Sequence, residues 1–192
     1  MRKAILTVMI LTIAVFSTAC INNFAVQELN NKAKTYLDQG NYKAAISRLQ
    51  ASVDLDNTIF ETHYNLGIAC TNAEKYTDAI KAFSEAAKLK PEIKDTYYSM
   101  AVAQENYART LYAKKYKVIE NKNGTEKMEL TSKEEVIRMF KNAINSYSKF
   151  LEMQPTQEEM AMANKQIEKI KTDLEEVEMQ AWIDPLLPVS AN

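Results

Sequence analysis

A repeat of 34 residues constrains this chain more than any other feature of its sequence. Tyr42-Lys43-Ala44-Ala45-Ile46 recurs as Tyr76-Thr77-Asp78-Ala79-Ile80, and the shift from Ala45 to Ala79 is 79 − 45 = 34. A unit of this length holds one supersecondary element that cannot bury its own apolar face, so neighbouring copies must stack to make a core. Composition selects the kind of element. With 3 glycines and 4 prolines in 192 residues, the chain lacks the turn residues that a sheet-rich fold needs. A hydrophobic content of 46% is ample for a helical core. The expectation is an all-α chain of helix-turn-helix units.

The clearest copy, residues 60–93, carries His63-Tyr64-Asn65-Leu66-Gly67, then Ala79, Phe83, Ala86 and Pro91. A weaker copy at 26–59 places Leu29, Ala33, Tyr36, Gly40, Tyr42, Ala45, Leu49 and Ser52 in the matching positions. Small residues Ala33, Ala45, Gly67 and Ala79 let paired helices approach, and Tyr36, Leu49 and Phe83 fill the space around them. Gly40 is placed to end a helix. A third copy starts at Lys94 with Tyr97, Met100 and Ala101, breaks off, and resumes with Ala143-Ile144, Tyr147, Phe150 and Pro155. The alanine due at 79 + 34 = 113 is matched by Ala143, so 143 − 113 = 30 residues are inserted. This pattern resembles the tetratricopeptide repeat family. The resemblance implies a superhelical array over 26–157, with repeats at 26–59, 60–93 and 94–157 and the insertion around 108–137.

Helical character continues through Leu111 and Lys115, and Thr131 or Ser132 with Glu134 or Glu135 offers a capping box for the returning helix. Between them, Asn123-Gly124 is a hairpin signal. As a two-residue loop it would set Glu120 opposite Lys127 and Ile119 opposite Met128; a structureless loop is the alternative. After Pro155, Thr156 and Glu159 form another capping box. Met160, Ala163, Ile167, Ile170, Leu174, Val177 and Ala181 then make one apolar seam, read as a capping helix over 158–182 before a tail at 183–192. The same seam could serve a coiled-coil homodimer, although a helix packed on the last repeat explains it more simply.

Arg2 and Lys3, the apolar run Ala4 to Phe16, and Ser17-Thr18-Ala19-Cys20 have the order of an export signal over residues 1–19. Thr18, Ala19 and Cys20 resemble a bacterial lipobox, which implies a lipidated Cys20 heading a linker at 20–25. Ser17 departs from that pattern, since a large aliphatic residue is usual there. Secretion in soluble form and retention as an uncleaved anchor stay open, the apolar run being short of the roughly 20 residues of a span. Cys70, the other cysteine, is expected to be a buried small hydrophobe and not the partner of Cys20.

Twenty-four basic and twenty-five acidic residues give a net charge of −1, without the basic excess of a nucleic-acid binder. No nucleophile-base arrangement, phosphate-binding glycine loop or metal-ligand cluster is recognisable, so neither catalysis nor a cofactor is expected. His63 sits where the family has a packing aromatic. The family resemblance implies a partner-binding groove on the first helix of each pair, here Asn30, Lys34 and Leu37, then Tyr64, Asn65, Ile68 and Thr71, then Tyr98, Val102 and Glu105. Asn65 matches a position whose side-chain amide holds a peptide backbone. Asp95 and Ser99 stand where carboxylate-clamping relatives have basic residues, which argues against capture of a chain terminus. These tyrosines could equally cover neighbouring helices. The functional expectation is a membrane-tethered protein-interaction adaptor of a bacterial envelope, facing the periplasm or the exterior. The alternative is a structural subunit docking through the third-repeat extension or the final helix.

Overall fold

The computed structural model describes residues 23–114, 118–120, 126–128 and 133–179. The export signal at 1–19, Cys20, the Asn123-Gly124 loop, Thr131, Ser132, Ala181 and the tail at 183–192 lie outside the described residues. The described elements are α1 (residues 23–38), α2 (Tyr42–Leu55), α3 (Phe60–Asn72), α4 (Tyr76–Leu89), α5 (Lys94–Lys114), β1 (Val118–Glu120), β2 (Glu126–Met128), α6 (Lys133–Glu152) and α7 (Gln157–Met179). The fold is an all-α helical repeat. It divides after Pro91 into two compact units.

In the first unit α1 and α2 form one helix-turn-helix pair, α3 and α4 the next. Ala33, Ala45, Ala79, Leu49 and Phe83 are all fully buried, as the repeat pattern requires. The tightest approach is at Gly67, where a Cβ would lie 2.5–2.7 Å from three atoms of the Phe83 ring. Only a residue without a side chain lets α3 meet that ring.

The two turns share a backbone geometry but not a residue type. Gly40 ends α1 at φ +69, its N–H donating to the Leu37 carbonyl at 3.0 Å while the Asn41 N–H reaches Tyr36 at 2.8 Å. Asn41 then caps α2 by accepting from the Ala44 N–H at 3.3 Å. In the second repeat the same pair of bonds runs from Glu74 to Thr71 (3.1 Å) and from Lys75 to Cys70 (2.8 Å), but Glu74 adopts φ 58 with a Cβ in place. That left-handed conformation costs a side-chain-bearing residue about 1–2 kcal/mol, more than the extra chain entropy glycine loses on folding. Glu74→Gly should therefore stabilise the chain by about 0.5–1 kcal/mol, read as a raised thermal midpoint. An unchanged or lowered midpoint would show that Glu74 makes a compensating interaction.

In the second unit the insertion lengthens a helix pair. α5 has 21 residues and α6 has 20, against 13 and 14 for α3 and α4. Ala108, Leu111, Val136, Met139 and Phe140, beyond the ordinary repeat, are buried and continue the core made by Tyr97, Ala101, Ala143, Tyr147 and Phe150. β1 and β2 pair antiparallel with Glu120 opposite Glu126, Ile119 opposite Lys127 and Val118 opposite Met128. This register differs by one residue from the expected Glu120–Lys127 and Ile119–Met128 pairs. Five residues, 121–125, separate the paired ends, and an odd number cannot close through a two-residue loop with its flanking residues paired.

α7 begins with the expected capping box. Glu159 accepts from the Thr156 N–H at 2.7 Å, and Thr156 Oγ1 accepts from the Glu159 N–H at 3.3 Å. Lys94, at the start of α5, pairs with the same carboxylate at 2.6 Å. The Lys94 bond first, then those from Thr156, hold the Glu159 carboxyl down at about 2. Ala163, Ile167, Ile170 and Val177 are buried within the chain itself, whereas Met160 is exposed. α7 thus packs along α6, as a capping helix should.

Candidate protein-binding face

The residues that the repeat pattern assigns to a groove divide sharply once their contacts are seen. Asn30 on α1 donates at 2.9 Å to Ser52 Oγ on α2, to Thr62 Oγ1 on α3 and to the Val26 carbonyl, while Thr62 donates back to Asn30 Oδ1 at 3.1 Å. Its amide fastens the first repeat to the second. Lys34 and Leu37, one and two turns further along α1, are exposed and half-buried respectively. Lys34 makes no ion pair among the described residues.

On α3, Asn65 and Ile68 are half-buried. The Asn65 side chain makes no hydrogen bond among the described residues, which leaves its donor and acceptor available together. Tyr64 is largely a packing residue, its ring stacked 5.7 Å from Phe60 and edge-on 5.8 Å from Phe83. Thr71 donates to the Gly67 carbonyl at 2.8 Å, a local helix contact. His63 is buried with Nε2 at 2.9 Å from the Asn57 carbonyl, the packing role its repeat position implies. Cys70 is a buried free thiol, pushed up to about 11 mainly by burial and further by Asp78.

On α5, in the second unit, Tyr98 leans on Phe150 at 5.2 Å and on Tyr147 at 5.4 Å, with Val102 half-buried nearby in sequence. Glu105 is not a groove residue. It is 7% exposed and accepts from Arg109 Nε (3.1 Å) and Nη2 (2.9 Å) and from the Tyr147 hydroxyl (3.2 Å). Arg109 Nη2 also reaches Asp173 on α7 at 2.6 Å, and its guanidinium lies over the Phe140 ring at 5.8 Å. One cation thus ties α5, α6 and α7 together. Burial, then the Glu105 charge, drives the Tyr147 hydroxyl far above its ordinary range, so it stays a donor. The Glu105–Arg109 spacing of four was visible in the sequence as a helical pair; Asp173, 64 residues further on, was not.

Among the described residues no group of three or more His, Cys, Asp and Glu is placed to hold a metal ion, and no helix is long and apolar enough to cross a membrane. Tetratricopeptide repeat models match residues 29–59 and 60–93. Residues 29–93 thus form two tetratricopeptide repeats. No curated relative matches it by sequence.

Similar solved structures include the first TPR of Spaghetti (RPAP3) bound to the HSP90 peptide SRMEEVD, 19% identical over 78% of this chain and 93% of that one, with a TM-score of 0.57. The Sgt2 TPR domain from Aspergillus fumigatus is 14% identical over 87% and 90%, with a TM-score of 0.56. The Yersinia enterocolitica type III secretion chaperone SycD, in complex with a peptide of the translocator YopD, is 16% identical over 80% and 92%, with a TM-score of 0.51. At these identities the likeness concerns the fold.

Proposed function

We propose that this chain is a protein-interaction adaptor, tethered to a bacterial cell envelope by lipid on Cys20 and holding a peptide or protein segment on the first helices of its repeats. The observation that carries the binding role is the unengaged Asn65 amide on the same helix face as Ile68, with Lys34 and Leu37 available on α1. A side-chain amide that donates and accepts together matches the alternating groups of an extended backbone. Two of the structurally similar repeat domains are described with bound peptides, which supports the reading without extending their ligands to this chain. The adaptor is read as non-enzymatic. Asn65→Ala should weaken partner binding about tenfold with the helical signal intact, the loss expected of one well-placed polar contact.

The tether rests on Ala19-Cys20 following an apolar run, and it places the repeats on the periplasmic or outer side of the membrane. Cys20→Ala should abolish metabolic lipid labelling and move the protein from the detergent phase to the aqueous phase. A variant that stays membrane-bound and keeps residues 1–19 would instead establish an uncleaved anchor.

A further inference from the structure

A cavity of about 230 Å³ opens between α2, α3 and α4 in the first unit. Its lining includes His63, Leu66 and Cys70, which share one stripe of α3. At 100° per residue that stripe lies nearly opposite Asn65 and Ile68, so the cavity is separate from the proposed protein-binding face.

The cavity is divided chemically. Leu66, Cys70 and Ala82 give it an apolar floor, with Cys70 and Ala82 themselves buried, beside the buried His63 ring whose Nε2 is already engaged 2.9 Å from the Asn57 carbonyl. Asp54, Asp78 and Glu85 stand on its walls against a single cation, Lys81. Glu85 already pairs with Lys88 at 2.8 Å. Asp54 and Asp78 are exposed and make no ion pair among the described residues. The Asp78 charge is felt at the floor, where it adds to burial in raising the Cys70 thiol.

We infer that this cavity binds a small organic cation with an apolar body, its ammonium group held at the rim by Asp54 and Asp78. The direction of the polarity selects this occupant. A lysine or arginine reaching in from a partner would drive its charged end onto the apolar floor, where it would lose its hydration without a counterion. A small amine can enter body first and leave its charge beside the carboxylates. Size agrees, because a dry cavity of about 150 Å³ already admits a benzene ring. A ring with a short aminoalkyl chain therefore fits. Anions are disfavoured by Asp54 and Asp78, the two lining carboxylates that have no ion-pair partner among the described residues.

The probe is 2-phenylethylamine, titrated into the full chain by calorimetry, with phenylacetate as the anion of similar shape. The amine should bind with a Kd of about 1 mM or tighter, reasonable for nine heavy atoms, and phenylacetate at least about tenfold more weakly. Asp54→Asn and Asp78→Asn should each weaken the amine about fivefold while the helical signal stays unchanged. The amine should also slow alkylation of Cys70 in the unsubstituted chain, followed on the Cys70 peptide by mass spectrometry, a readout that needs no variant to fold. Equal binding of both probes, unchanged affinity in both aspartate variants, an unprotected Cys70, or no amine binding would each overturn the assignment.

Discussion

Gly67→Ala is expected to destabilise the first unit by about 2 kcal/mol. The new methyl would sit 2.5–2.7 Å from three atoms of Phe83, a ring with no exposed surface. Overpacking of this kind costs up to about 3 kcal/mol, and the better helix propensity of alanine returns about 1 kcal/mol. Phe83→Leu removes ring atoms from the collision but leaves a void of its own. The double variant should therefore be more stable than the sum of the single losses predicts, and urea unfolding measures the difference. Strict additivity, or a Gly67→Ala loss below about 0.5 kcal/mol, would mean that α3 shifts freely away from α4 and that the close approach is not what selects glycine.

Arg109→Ala should cost the second unit about 2–3 kcal/mol, less than a fully buried pair because the arginine side chain is 32% exposed. The variant leaves Glu105 and Asp173 without their shared cation and in partial burial. Adding Glu105→Gln and Asp173→Asn to Arg109→Ala should recover part of the loss, because neutral amides need no counterion, and urea unfolding reads the difference. A triple variant no more stable than Arg109→Ala alone would show that lost packing over Phe140, not the stranded carboxylates, sets the cost.

These two sites also mark what a reader of the sequence can and cannot see. Gly67 and Ala79 were legible because repeat spacing fixes which positions must be small, and the helix pair follows from local periodicity. The Thr156–Glu159 capping box was legible for the same reason, since its two members lie three residues apart. The Glu105–Arg109–Asp173 tie was not, because Asp173 comes from a helix 64 residues beyond Arg109 and periodicity says only that its side chain is polar. The hairpin register missed by one residue, as Asn-Gly announces a turn without fixing how many residues the loop contains.

The candidate face shows the same division. Carry-over by repeat position treated Asn30 and Asn65 alike, but Ser52 and Thr62 happen to meet Asn30 and engage its amide. Ser52 is replaced by Ala86 one repeat later, and Asn65 falls one position after the Asn30 equivalent, Tyr64. Which amide is free is thus decided by neighbours on two other helices. Glu105 was misplaced for a related reason: an acidic residue on a first helix looks solvent-facing until the tyrosine and arginine that surround it are known.

Whether the face bearing Asn65 holds a partner is tested in intact cells by a photo-crosslinking amino acid in place of Asn65, with the same probe in place of exposed Lys165 on α7 as the comparison. Position 65 should give a discrete adduct that fades when Lys34→Glu is added, and position 165 none. An adduct from position 165 with none from position 65 would contradict a binding role for that face, and would favour a subunit docked through its final helix.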